Sequence, residues 1–234
     1  MPIVNQETRP RDDTLIVVHH LENSRSQRIV WLLEELGVAY EIRTYRRDPR
    51  TMLAPPELKA VHPLGKSPVI TDGEITIAES GAIIEYLTAR FPEPALVPAD
   101  GTPEKRRYTY WLHYAEGSAM PLLVMSLVFS RLGKASVPLP LRPIGKLMSR
   151  GAHRQYLDPQ LRLHFDYWER ELETREWFCG DSFTAADIQM SFPVLAAAGR
   201  ADLAGYRRIS AVLARMQARP GYRRMIEKVG EFRL

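Results

Sequence analysis

Three short stretches hold the side chains best suited to chemistry: Asn23-Ser24-Arg25-Ser26, Lys66-Ser67-Pro68 and Glu79-Ser80. The first lies just before Ile29, Val30, Leu32, Leu33 and Leu36, which recur at helical spacing. Its hydroxyls and amide therefore sit where the first N–H groups of a helix have no partner. They can cap that helix or donate to an anion. Ser26 is expected to face into the first turn. The residue before a proline is pushed into an extended conformation. Ser67 thus either begins a strand or offers its N–H and C=O as a short edge for an extended peptide. Glu79-Ser80 opens an apolar helix, whose free N–H groups and dipole favour an anion. The same pair also reads as a helix cap with an acidic first turn. Lys66 is either a solvated loop cation or a partner for a carboxylate.

These residues need a frame. Leu15 to Val18 is a β-branched run and reads as a first strand, and His19 and His20 at its end read as structural, with lining of the site as the alternative. The helix that follows stops at Gly37, and Val38 to Tyr45 reads as a second strand, making a βαβ unit. A short helix to Val61 comes next. Ser67 to Ile70 and Glu74 to Ile77 form a hairpin across Asp72-Gly73, and a helix carries Ala82, Ile83, Tyr86 and Leu87. The order βαβ-α-ββα is the thioredoxin-like pattern. Prolines from Phe91-Pro92 to Pro103 mark a linker. Beyond it no strand is expected. Long helices are expected over 104–132 and 154–176, and shorter ones near 185–198, 206–218 and 221–229. Residues 133–151, with Pro138, Pro140 and Pro143, are expected to be loop-rich with at most a short helix. The organisation expected is an N-terminal arm (1–14), a thioredoxin-like domain (15–91), a linker (92–103) and an all-helical domain (104–234), an α+β fold. Thr184 and Asp187 have capping-box spacing, flanked by Phe183 and Ile188 as a hydrophobic staple.

Composition narrows the function. The 234 residues are 45% hydrophobic and 26% charged, ordinary for a globular protein. No run of eighteen apolar residues occurs, so no membrane span is expected, and the polar first fourteen residues lack the apolar core of a secretory signal. The single cysteine, Cys179, can build neither an internal disulfide nor a cysteine zinc site. It fits a reducing, cytoplasmic setting and reads as a buried structural thiol. The net charge is +4, and its cations, Arg43, Arg46, Arg47 and Arg50 among them, form no stripe with a reading motif. No nucleic acid and no metal are expected.

The blocks Asn23 to Ile29, Trp31 to Gly37, His62-Pro63-Leu64-Gly65-Lys66-Ser67-Pro68-Val69, Ala78 to Ile83 and Phe183 to Ile188, in this order and spacing, resemble the glutathione transferase superfamily from Leu15 to about Glu227. Tyr45-Arg46-Arg47-Asp48, Ala54 to Lys59, Tyr114-Ala115-Glu116-Gly117-Ser118, Val137 to Pro140 and Gln189 to Pro193 are most similar to the yeast Gtt-type subgroup and its bacterial relatives. The resemblance implies a cytoplasmic homodimer that uses glutathione as co-substrate, with a small electrophile as the second partner. It implies a cis proline at Pro68, with Ser67 pairing the cysteinyl part of glutathione. Ser80 would hold the γ-glutamyl carboxylate and Glu79 its ammonium. Lys66, with Arg50 or another residue of the 46–53 loop as a further contact, would meet the glycyl end.

The thiol decides what such a protein does. A free thiol has a pKa near 8.5, and lowering it by two units takes about 2.7 kcal/mol. A hydrogen bond to a charged group supplies about 1.5–3 kcal/mol, so one hydroxyl near the end of the first strand suffices. Ser24 is the expected donor, with Asn23 as the amide alternative. No tyrosine occurs in this stretch. Conjugation of the thiolate to electrophiles is the leading expectation. Glutathione-dependent peroxide or disulfide reduction on the same site, or a non-catalytic glutathione-binding module, are the alternatives. The electrophile pocket is expected between the domains. Tyr110, Tyr114 and Met120 could line it or form a core stripe.

Overall fold

The computed structural model describes residues 15–134, 137–199, 203 and 205–232; the expected arm, 1–14, lies outside these. Strand β1 (Ile16–Leu21), helix α1 (Ser26–Leu36) and strand β2 (Tyr40–Tyr45) form the βαβ unit, with β1 and β2 parallel. Helix α2 (Pro56–Val61), strands β3 (Val69–Asp72) and β4 (Ile75–Ala78) and helix α3 (Ser80–Arg90) follow. The sheet order is β2-β1-β3-β4, and β3 is antiparallel to both β1 and β4. This is the thioredoxin-like arrangement.

Strand alternation divides the two faces. Ile16 and Val18 point into the main core with Ile29, Leu33, Ile83 and Leu87 of α1 and α3. Leu21 points the other way, into a small cluster with Tyr45 and Leu58 of α2. The strand runs three residues beyond the expected Val18 because backbone pairing to β2 continues through His19, His20 and Leu21. β3 begins at Val69 rather than Ser67. Gly37, at φ 66°, ends α1 in a left-handed turn that a side chain would strain.

The helical half comprises α4 (Pro103–Tyr114), a π-helical turn (Ala115–Ala119) and α5 (Met120–Arg131) in one continuous rod. A 3₁₀ turn (Leu139–Leu141) leads to α6 (Arg142–Ala152), a second π turn (His153–Leu157) and α7 (Asp158–Glu171). Helices α8 (Ala185–Ala198), α9 (Arg207–Ala218) and α10 (Pro220–Val229) complete the chain. The loop-rich excursion expected over 133–151 is therefore mostly helix, and the long helix expected to start at 154 starts at Arg142. Pro143 sits in the first turn of α6, where its missing N–H costs nothing, and so opens the helix instead of breaking it. The rod Pro103–Arg131 is long and apolar enough to cross a membrane by length and composition alone. Its Trp111, Ala115, Ala119 and Leu123 are instead buried in the protein's own core.

Helix α1 is the shared wall of the two halves, packing on α8 and α10 as well as on β1. At its C-terminal end Glu34 takes Arg224 Nε at 2.5 Å and Lys228 Nζ at 2.6 Å. Glu35 forms a two-pronged pair with Arg219 at 2.9 and 2.7 Å. Asp187, buried at the start of α8, accepts from the Thr184 N–H at 2.8 Å, the Thr184 hydroxyl at 2.9 Å and the Phe178 N–H at 2.8 Å. The capping box is formed.

Candidate functional site

A cleft of about 450 Å³ opens between the two halves. All seven residues singled out in the sequence line it: Asn23, Ser24, Lys66, Ser67, Pro68, Glu79 and Ser80. Three segments meet there because the topology brings together the C-terminal end of β1, the loop before β3 and the start of α3.

Asn23 turns the chain from β1 into α1 at φ 50°, a left-handed conformation that asparagine tolerates better than most residues. Its carbonyl accepts from Arg47 Nη2 at 3.3 Å. Arg47 also donates to the carbonyls of Glu22 at 3.1 Å and Met52 at 3.0 Å, tying the 46–53 loop to the turn. From that loop Arg47 and Leu53 line the cleft, and Arg50 does not. Ser24 follows, buried except for 7% of its surface. Its Oγ lies 2.8 Å from Ser26 Oγ and accepts the Ser26 N–H at 3.3 Å. It also donates to Ser67 Oγ across 3.4 Å. The Ser67 hydroxyl donates to the His19 carbonyl at 2.9 Å and accepts the Leu21 N–H at 3.3 Å, which fastens the proline loop to β1.

The Ser67–Pro68 peptide is cis, as the resemblance implies. Gly65, before it, has φ +56° and lies so close to Lys59 that an added Cβ would meet Lys59 Cγ at 2.6 Å. Glu79 occupies the N-cap of α3 with φ 73° and ψ 123°. A glutamate pays about 1–3 kcal/mol for such a backbone, the kind of strain that collects at ligand sites. It presents the exposed Glu79 carboxylate beside the buried Ser80 at the helix N-terminus. A carboxylate and the positive end of a helix thus stand side by side.

The opposite wall comes from the helical half: Met120, Val124 and Leu127 of α5, Phe192 and Ala196 of α8, and Phe232. Met120 belongs to the cleft. Tyr114 belongs to the core instead, where its hydroxyl pairs with His164 and accepts from Trp168 Nε1 at 2.9 Å. Tyr110 stacks on it, with ring centroids 5.5 Å apart.

Between the two walls lies an ion cluster that sequence reasoning missed. Glu116, in the first π turn, pairs with the fully buried Arg28 and lies 3.2 Å from Arg25 Nε. Arg28 Nη1 also donates to Gln189 Oε1 at 3.3 Å, and its guanidinium lies 5.1 Å from the Phe192 ring. Burial pushes Arg28 down to about 10, opposed by Glu116, so it stays charged at neutral pH. Arg25 and Glu116 both face the cleft. The signal available in the sequence was the block Tyr114 to Ser118. Its spacing says nothing of the π turn, a feature frequent at functional sites. Cys179 does not line the cleft: burial pushes its thiol up to about 12 and its sulfur lies 3.3 Å from Thr184 Oγ1. Among the described residues no cluster of three or more metal-ligand side chains occurs.

Known proteins agree with this architecture. The glutathione S-transferase N-terminal domain family matches residues 13–89 and the C-terminal domain family residues 123–220. Glutathione S-transferase 3 of Schizosaccharomyces pombe is 43% identical over 185 residues, covering 78% of this chain and 74% of the relative. Glutathione S-transferase 1 of Saccharomyces cerevisiae is 33% identical over 187 residues, covering 77% and 80%. A solved glutathione S-transferase from Actinobacillus pleuropneumoniae superposes with a TM-score of 0.77 and 35% identity over 92% of this chain and 93% of its own. The thioredoxin-like half and the helical half coincide with these matches over most of the sequence: the chain belongs to the glutathione S-transferase family.

Proposed function

We propose that the protein conjugates the thiolate of glutathione to small apolar electrophiles. The observation that carries this reading is Ser24. It is buried just before α1 and lines a cleft whose opposite wall is apolar. In this reading the γ-glutamyl carboxylate sits on Ser80 and the N-terminus of α3, its ammonium on Glu79. Ser67, beside Pro68, pairs the cysteinyl backbone, and Lys66 meets the glycyl carboxylate. The sulfur then reaches Ser24, with the Asn23 amide beside it. Ser24 donates one hydrogen bond to the thiolate and α1 adds its dipole, together enough to move the thiol toward ionisation at neutral pH. The thiolate attacks a carbon electrophile resting on Met120, Val124 and Phe192, and the leaving group departs with the bonding pair.

The residue-level test is Ser24→Ala. Turnover of a model aryl halide should fall roughly 10- to 100-fold, the worth of one charge-assisted hydrogen bond, while glutathione still binds. Unchanged turnover rejects Ser24 as the donor, and Asn23→Ala then becomes the decisive variant. A homodimer and a cytoplasmic location complete the proposal. The exposed Met125, Val128, Tyr156 and Leu163 support the first, because large apolar side chains left in solvent together are commonly buried on association. The buried free thiol of Cys179 suits the second.

A further inference from the structure

The hydroxyl assigned to the thiolate has neighbours that decide where its proton points. Behind Ser24, away from the cleft, runs a buried chain. His20 Nδ1 lies 2.7 Å from Ser26 Oγ, and Ser26 Oγ lies 2.8 Å from Ser24 Oγ. Strand alternation puts His20 on the α1 side of the sheet while His19 faces Tyr45 on the other. His20, Ser24 and Ser26 are 2%, 7% and 0% exposed, so water has little access to the chain.

A serine hydroxyl has one proton, and each of these distances is shared by two possible donors. If His20 carries its proton on Nε2, then Nδ1 must accept from Ser26. Ser26 Oγ is then left to accept from Ser24 at 2.8 Å. The Ser24 proton would be held in a short internal bond, turned away from any sulfur. If His20 carries its proton on Nδ1, every donor reverses. His20 donates to Ser26, Ser26 donates to Ser24, and the Ser24 lone pairs are filled by the Ser26 hydroxyl and the Ser26 N–H. The Ser24 proton then has only the 3.4 Å bond to Ser67 Oγ, whose own proton is committed to the His19 carbonyl. A bond that long is weak and easily exchanged for a thiolate.

We propose that His20 and Ser26 are positioning residues that orient the Ser24 hydroxyl toward the glutathione sulfur, with His20 held as the Nδ1–H tautomer. The chain His20 to Ser26 to Ser24 aims each donor at the next, and aligned hydrogen bonds polarise one another. Burial also lowers the pKa of His20 to about 4, so the ring stays neutral at working pH. This inference rests on Ser24 being the donor to the thiolate.

The test reads the pKa of the bound thiol by ultraviolet difference titration of the glutathione complex. The variants are Ser26→Ala, His20→Leu, His20→Asn and Ser24→Ala. The charged groups facing the cleft, Arg25, Arg47, Lys66, Glu79 and Glu116, are unchanged in all of them, so the field they set cancels. Ser26→Ala and His20→Leu should each raise the bound thiol pKa by about half a unit to one unit, the scale of one hydrogen bond. Glutathione binding below that pKa should hold. His20→Asn places an amide N–H near the position of Nδ1–H and should restore the wild-type value, which a merely structural role would not predict. If the Ser24→Ala thiol shifts but Ser26→Ala and His20→Leu are silent, the relay is wrong and the Ser24 assignment stands. If His20→Asn behaves like His20→Leu, the tautomer is wrong. If Ser24→Ala itself leaves the thiol unmoved, the Ser24 reading fails and the relay with it. Should His20→Leu not fold, Ser26→Ala decides alone, since it removes one oxygen from the chain and leaves the ring in place.

Discussion

At the scale of single residues, the cleft divides its work by chemistry. In the proposed reading Ser24 is a neutral donor whose other contacts are internal, and Ser80 and Glu79 offer opposite polarities at one helix end. Ser80→Ala should weaken glutathione binding while leaving turnover of bound glutathione nearly intact, and calorimetric titration reads this directly. An unaltered isotherm would count against Ser80. His20 makes a second prediction, about stability. Its folded pKa of about 4 lies below the ordinary 6.5 because burial disfavours the charged ring. The unfolded chain therefore takes up a proton first as pH falls. Stability tied to neutral His20 is complete above pH 6.5 and is lost between about 6.5 and 4. Urea denaturation of the wild type and of His20→Asn at pH 7.5 and 5 should show a larger loss in the wild type. Equal losses would mean that the ring is not shielded from protonation.

At the scale of elements, the π turn at Ala115–Ala119 and the N-terminal turn of α1 are joined through charge. Glu116 offsets a guanidinium, Arg28, that is 1% exposed. Removing one partner of a buried pair costs about 3–5 kcal/mol, because the other charge is stranded. Glu116 itself is 30% exposed in its side chain, so Glu116→Gln should cost less, about 2–3 kcal/mol by chemical denaturation. It should also disturb the α1 turn that carries Ser24. A variant as stable as the wild type would show that Arg28 is solvated by other means. At the start of α8, Thr184→Ala removes a donor to buried Asp187 and a polar neighbour of Cys179 Sγ. A loss of about 1–2 kcal/mol is expected, with no change in glutathione affinity.

At the scale of the whole molecule, the two halves are clamped at the far end of α1 from the cleft. Burial alone would raise the Glu34 carboxyl, but Lys228, Tyr40 and Arg224 hold it down to about 2. A carboxylate with a depressed folded pKa contributes stability above its unfolded value of 4.5. That contribution fades as pH falls from 4.5 toward 2. The wild type should therefore lose more stability than Glu34→Gln between pH 6 and pH 3 in thermal melts, and parallel curves would reject the clamp. Association is the other property of this scale. Light scattering should give twice 26.8 kDa, and a charge placed at Val128, such as Val128→Glu, should shift the equilibrium toward monomer.

Local chemistry alone determined a good deal. Apolar spacing marked α1, Asp72-Gly73 marked the β3–β4 hairpin, and Thr184 with Asp187 marked the start of α8, because propensity, turn geometry and capping act within a few residues. The seven cleft residues were legible because their blocks kept the order and spacing of a known family. The tertiary structure alone decided what depends on neighbours distant in sequence. Pro143 opened a helix where proline content suggested loop, since only its place in the first turn made the missing N–H harmless. His20 looked like the tail of a strand until the α1 turn folded over it. Arg28 and Glu116, 88 positions apart, became partners only when the two halves closed around them. Charge and hydrogen-bond partners are chosen by packing, and packing is not written in any window of sequence short enough to read.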